Sequence, residues 1–241
     1  MDYNKIVQGI LDIGEAMLQS GAENFRLEDS FYRMCRSYGF KRSDVFVIPS
    51  NIQVTVETPE GEIITQIRHI ESTGADYDKL NYLNAMSRYV CSHNPDEKEL
   101  VRRFKKVMSR PDQSELITGL AQITGGTAFA VFFGCDLQDA VVALIVCLMI
   151  VLVGRWLSRR EGNPMIYNLI LAFLSEVVIV TAVRSGLGHH PDRIMIGIVM
   201  LLVSALGAIN GMRDVMQRNF ISGSLEVMNS MLGAFGIAFG I

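Results

Sequence analysis

Residues Gln138–Leu157, QDAVVALIVCLMIVLVGRWL, decide the fold, because between Asp139 and Arg155 they hold no charged side chain. A helix rises about 1.5 Å per residue, so about 20 apolar residues cross a hydrocarbon layer about 30 Å thick. A buried helix of a soluble bundle would show a charged outer face at 3.6-residue spacing, and this stretch shows none. Reading outward, comparable stretches run over about 114–134, 165–185, 193–212 and 223–241, with charges falling mainly between them. The sequence therefore predicts an α-helical membrane protein with five transmembrane helices over 111–241, preceded by a small cytoplasmic α+β domain over 1–110.

Charge follows the same division. Of 22 Lys and Arg and 25 Asp and Glu in 241 residues, 15 and 16 fall in residues 1–110, and no lysine follows Lys106. The net charge of −3 lacks the basic excess that polyphosphate partners demand, so nucleic-acid binding is not expected. Cys35, Cys91, Cys135 and Cys147 have neither CxxC nor Cys/His spacing and read as free thiols. Asp2, Asp12 and Glu15 interrupt any apolar leader.

The basic residues also predict orientation. Arg102, Arg103, Lys105, Lys106 and Arg110 precede the first stretch, and Arg155, Arg159 and Arg160 close the second. With Arg213 and Arg218, 20 basic residues lie on the N-terminal side, against Arg184 and Arg193 on the other. The N-terminus is expected in the cytoplasm and the C-terminus outside, in a multi-pass protein of the cell (inner) membrane.

In the first domain, paired apolar residues from Ile6/Val7 to Met17/Leu18 predict an amphipathic helix over 3–19. Ser20 and Glu23 have capping-box spacing for a second helix that Gly39 stops. Residues 45–48, 52–58 and 62–70 read as strands, the last two joined by a turn at Pro59-Glu60-Gly61. Helices over about 76–91 and 95–109 follow, the latter with Asn94 as cap and Pro95 in its first turn. The domain contains no P-loop, GxGxxG or GxSxG, so neither an enzyme nor a cofactor is expected. His189 and His190, with Asp192, sit in a short outer loop where a metal centre is not expected.

Small and polar residues recur along the apolar stretches. Glu226, Asn229, Gly233, Gly236 and Gly240 form one stripe, and Gly197, Ser204 and Gly211 fall at compatible spacing in the fourth stretch. Such residues let helix backbones approach closely, and some can line a polar route, as can Gln122.

The chain resembles the threonine/serine exporter (ThrE-type) family, as the larger subunit of its split two-component form. The resemblance rests on Ser20-Gly21-Ala22-Glu23 with Arg26 and Glu28, on Pro49-Ser50-Asn51-Ile52, and on Phe129 to Gly134. It continues through Ile196-Gly197 to Asn210-Gly211-Met212-Arg213-Asp214 and Ser222-Gly223. Where that family shows Pro-Gly in the fourth span, this chain has Ser204-Ala205, which leaves a helix break there open. The resemblance implies export of small polar metabolites, threonine and serine or a dicarboxylate such as succinate, driven by the proton or an ion gradient. It also implies a smaller membrane subunit as partner; five helices enclose little volume, so a homo-oligomer is the alternative.

Candidate route residues follow from cost and spacing. An ionised Glu176 in mid-span would cost about 2.5–3.5 kcal/mol, so it is expected to face the bundle with Asn168, Ala172 and Ser175, for proton coupling or for a hydrogen bond to a neighbouring helix. Asn210, Arg213 and Asp214, at i, i+3 and i+4, share a helix face. Arg213 and Asp214 suit the carboxylate and ammonium of a zwitterion, or serve only as helix-end charges. The rival readings are a membrane-tethered sensor or scaffold whose soluble domain binds a ligand or protein, and a membrane enzyme.

Overall fold

The structure is a computed structural model that describes residues 2–71, 73–111 and 114–241. Helix α1 (Tyr3–Gln19) forms where the apolar pairs predict it, and Ile6, Ile10, Leu11, Ile13 and Met17 are almost fully buried. Gly14 admits the ring of Phe31 from α2 (Asn24–Ser37), where any side chain would collide. Strands β1 (Arg42–Ile48), β2 (Asn51–Glu57) and β3 (Ile63–His69) make an antiparallel sheet in the order β1-β2-β3. The alternation read in β2 is realised, with Ile52, Val54 and Val56 turned into the core. Helices α3 (Tyr77–His93) and α4 (Glu97–Met108) complete the core through Leu83, Val90 and Leu100.

Two expected helix caps are corrected. Ser20 closes α1, and Glu23 precedes α2 without capping it, because its carboxylate is engaged by Arg26 and Arg213. Asn94 closes α3 in the left-handed region (φ 44°), a conformation asparagine tolerates, and Asp96 caps α4 by accepting the Glu99 amide. Pro95 thus lies between the two helices rather than in the first turn of α4.

The apolar stretches form α5 (Glu115–Phe132), α6 (Leu137–Ser158), α7 (Pro164–Arg184), α8 (Pro191–Leu202), α9 (Ala205–Met216) and α10 (Phe220–Gly240). Helices α6 and α7 are long and apolar enough to cross a membrane, and α8 with α9, bent by 53° at their break, forms either a third, broken span or a re-entrant loop. Helices α5 and α10 coincide with two more of the expected stretches, but Gln122, Glu226, Asn229 and Ser230 dilute their apolar character. The break between α8 and α9 occurs at the fourth-stretch position left open above. Val203 takes an extended conformation (φ −70°, ψ 123°), so no proline is needed.

Cα packing divides the chain into two compact units. Residues 210–225 cluster with 1–113 in the first, while 114–209 and 226–241 make the second. The junction residues 112 and 113 lie outside the described residues. In the second unit Val142, Ala143, Val146 and Cys147 of α6 pack with Leu171, Ala172 and Ile179 of α7 and Ile194 and Ile198 of α8. The outer faces are equally apolar, with Leu148, Leu152, Trp156, Phe173 and Val177 exposed. A helix apolar on every side requires lipid or protein around it. The four cysteines are free thiols.

Candidate functional site

A buried polar cluster lies within the first unit, where the start of α2 meets the segment 210–225. Gly21, at φ +90°, turns the chain between α1 and α2; a Cβ there would lie 2.8 Å from the Gly74 carbonyl oxygen. Glu23 and Asn24 follow directly, and Glu28 lies one helical turn beyond Asn24 on the same face. From the other side, α9 ends at Met216, Arg218 turns the chain at φ 70°, and α10 begins at Phe220. Gly223 permits the two helix ends to close on each other, since a Cβ there would sit 2.5 Å from the Gly211 carbonyl oxygen.

Asp214 and Ser222 are thereby buried, at 2% and 4% exposure. The Asn24 side-chain amide, itself 1% exposed, donates to Ser222 Oγ (2.6 Å) and to Asp214 Oδ2 (3.2 Å). Ser222 Oγ donates to the same carboxylate oxygen (3.2 Å). Asn24 Oδ1 is buried without a hydrogen-bond partner among the described residues. Beside this triad, Glu28 accepts from the Val47 amide (3.2 Å) and from the Asn219 side chain (3.3 Å). Burial pushes the Glu28 carboxyl above its ordinary value, with nearby Asp214 adding to the rise against the pull of those two donors.

Arg213 does not pair with Asp214. Its guanidinium turns to Glu23 (2.7 Å), which also receives Arg26 (3.2 Å), so the donors on Asp214 are neutral. Such an arrangement holds a chain segment in place, because buried polar groups are stable only when hydrogen-bonded to one another. Both residues expected to receive a zwitterion are engaged by protein groups, and Asn210 is half-buried on the same helix.

The other candidates lie in the second unit. Asn168 is buried and donates to the Gly233 carbonyl (3.1 Å), and buried Ser175 donates to Leu171 of its own helix (2.7 Å). Glu176, next to Ser175, is half-buried. Gly233, Gly236 and Gly240 abut α7. A Cβ on Gly236 would collide with the Met165 carbonyl, and one on Gly240 would lie 2.6 Å from the Leu169 carbonyl oxygen. Gly197 meets the backbone of Ala130 in the same way, and Gly211 is buried. Gln122, Ser204 and Asn229 are exposed, and Glu226 is half-buried.

Sequence reasoning missed Asn24 and Asn219 and gave Glu28 and Ser222 no site role. A signal was present: three of the four adjoin or belong to the motifs that carried the resemblance, and Asn24 follows Glu23 directly. Their convergence depends on a separation of 190 residues between Asn24 and Asp214, which spacing cannot reveal.

Comparison with known proteins accounts for this distribution of motifs. The family model described as "Putative threonine/serine exporter" (ThrE) matches residues 8–241, nearly the whole chain. No curated protein and no solved structure matches it. The match covers the α+β domain and the apolar helices together, and helices able to cross a membrane fit a transporter family, which is not an enzyme class. This membrane protein belongs to the threonine/serine exporter family.

Proposed function

We propose that the chain is the larger subunit of a two-component exporter in the inner membrane, with five spans, a cytoplasmic N-terminus and an external C-terminus. It moves small polar metabolites outward, threonine and serine or a dicarboxylate such as succinate, using the proton or an ion gradient. The family match over residues 8–241 is the observation that carries this reading. The exposed polar side chains of Gln122 and Asn229, set on otherwise apolar helices, and of Ser204, in the break between α8 and α9, support a route completed by a smaller membrane subunit or by further copies of the chain. Glu176 is the proposed proton-coupling residue, and Glu226 a further group along the route. Because residues 210–225 pack in one unit with the N-terminal domain, the buried Asn24–Asp214–Ser222 cluster serves as a latch by which that domain acts on the last helix pair.

The test is counterflow in proteoliposomes, with and without the smaller subunit, across amino acids and dicarboxylates. Uptake of one labelled class against the same unlabelled class is expected. Absence of counterflow for every substrate, with either assembly, overturns the proposal.

A further inference from the structure

A second polar cluster lies within the other unit. Asp136 and Asp139 open α6 as a capping box: Asp136 accepts the Asp139 amide (2.8 Å) and Asp139 accepts the Asp136 amide (3.4 Å). The loop between α7 and α8 closes on this end. Asp139 Oδ1 accepts the backbone amides of His189 (2.7 Å) and His190 (3.2 Å), and Asp139 Oδ2 faces His190 Nδ1 (2.8 Å). His189 Nδ1 lies 2.7 Å from Asp136 Oδ2. One ligand atom from each of Asp136, Asp139 and His189 falls within 4.8 Å of the others. The sequence pairs these histidines with Asp192; the fold pairs them with the two aspartates instead.

We propose that Asp136, Asp139 and His189 form a binding site for one divalent transition-metal ion, of the zinc class. The donor set carries the choice of ion. Two carboxylates and an imidazole suit zinc, manganese, cobalt or nickel, whereas calcium and magnesium take oxygen ligands. Two carboxylates also balance a doubly charged ion.

The surroundings are those of a held ligand. Asp139 is fully buried and fixed by three backbone amides, while the His189 side chain remains 55% exposed, so an ion would enter from the His189 side and replace the contact between His189 and Asp136. His190 holds the Asp139 carboxylate through Oδ2, the relation by which a neighbouring group sets the geometry of a metal ligand. Ligands at about 2.0–2.2 Å around zinc lie about 3.3 Å from one another, so the His189–Asp136 pair opens by a few tenths of an ångström to admit the ion. Bound metal would join the N-terminus of α6 to the α7–α8 loop. This inference does not rest on the transport reading.

The test uses the full chain, solubilised in detergent, purified in chelator and then titrated with cobalt(II). One equivalent is expected to give a visible d–d absorption band that zinc abolishes and that magnesium and calcium leave unchanged. His189→Gln and Asp136→Asn should each remove the band, and His190→Ala should weaken binding about 10- to 100-fold. Asp192→Asn should leave the band intact. His189 is exposed enough for its replacement to preserve folding, and each variant's elution profile and thermal unfolding verify this. No band at micromolar cobalt, or a band unchanged in both folded ligand variants, overturns the proposal.

Discussion

Replacing Asp214 separates the two roles that its burial combines. Asp214→Ala removes the acceptor of two hydrogen bonds, those from Asn24 and Ser222, both at 3.2 Å. Bonds to a charged group contribute about 1.5–3 kcal/mol each, but an ionised carboxylate 2% exposed also bears a desolvation cost. Asn24 and Ser222 keep their own 2.6 Å bond, which limits the loss. The net expectation is a destabilisation of about 1–3 kcal/mol. Asp214→Asn retains an oxygen for both donors and carries no charge, so it should stay within about 1 kcal/mol of the parent. A chain of this size loses about 2–4 °C in Tm per kcal/mol, so alanine should lower Tm by about 2–12 °C and asparagine should shift it by less than about 4 °C. The assay is thermal unfolding of detergent-solubilised protein at one pH and one scan rate. If asparagine costs as much as alanine, the carboxylate is held by its charge and the neutral-donor account is wrong. If alanine costs nothing, the cluster does not anchor residues 210–225.

Four further outcomes follow. Glu28 has a folded-state pKa raised above the ordinary 4.5, so its contribution to stability is fully present below about that pH and is lost as pH rises through the raised value; Glu28→Gln should flatten the Tm–pH profile over that interval. Gly236→Val should cost about 1–3 kcal/mol and reduce the yield of folded protein, whereas Gly125→Ala, with open space at the Cβ position, should leave both unchanged; comparison of elution profiles and Tm decides this. Glu176→Gln should abolish gradient-driven export in proteoliposomes while preserving assembly, and normal export at every pH tested would remove Glu176 from the mechanism. Neutralising Glu23 and Arg213 singly and together, as Glu23→Gln and Arg213→Gln, should give a coupling of about 1 kcal/mol or less because the arginine is 45% exposed; a double-mutant cycle in Tm measures it.

Much of the element order was legible because it rests on local pattern. The α1 face, the alternation in β2 and the Gly61 turn depend on neighbours within a few residues, and the structure places each where it was read. The capping errors have a different origin. Ser20 and Glu23 have the right spacing for a box, but Glu23 gains more from two arginines than from a single amide, and one of those arginines is 190 residues away. The break after Leu202 was equally hidden, since Val203 and Ser204 carry neither proline nor glycine. The candidate site was half legible. Composition singles out Asp214 as a charge at the end of an apolar stretch, yet its partners Asn24 and Ser222 are ordinary polar residues until the fold buries them together.

The exposed polar groups bear on the proposed second subunit through simple energetics. Leu120 and Phe132 of α5 are exposed, which suits acyl chains, but Gln122 on the same helix is exposed as well. A side-chain amide left without partners in hydrocarbon costs several kcal/mol, comparable to a large part of a domain's net stability. Asn229 on α10 poses the same problem, although Gly233 and Gly236 on that helix already abut α7. Thr124 and Thr181 avoid the cost by donating to carbonyls of their own helices, at 2.8 and 2.7 Å. The Gln122 and Asn229 amides have no such bond to a described residue. If these positions lie within the membrane, a water-lined route or a second protein surface must satisfy them. Gln122→Leu therefore discriminates between these environments: facing lipid it should raise Tm, whereas at a subunit contact it should weaken co-purification of the partner.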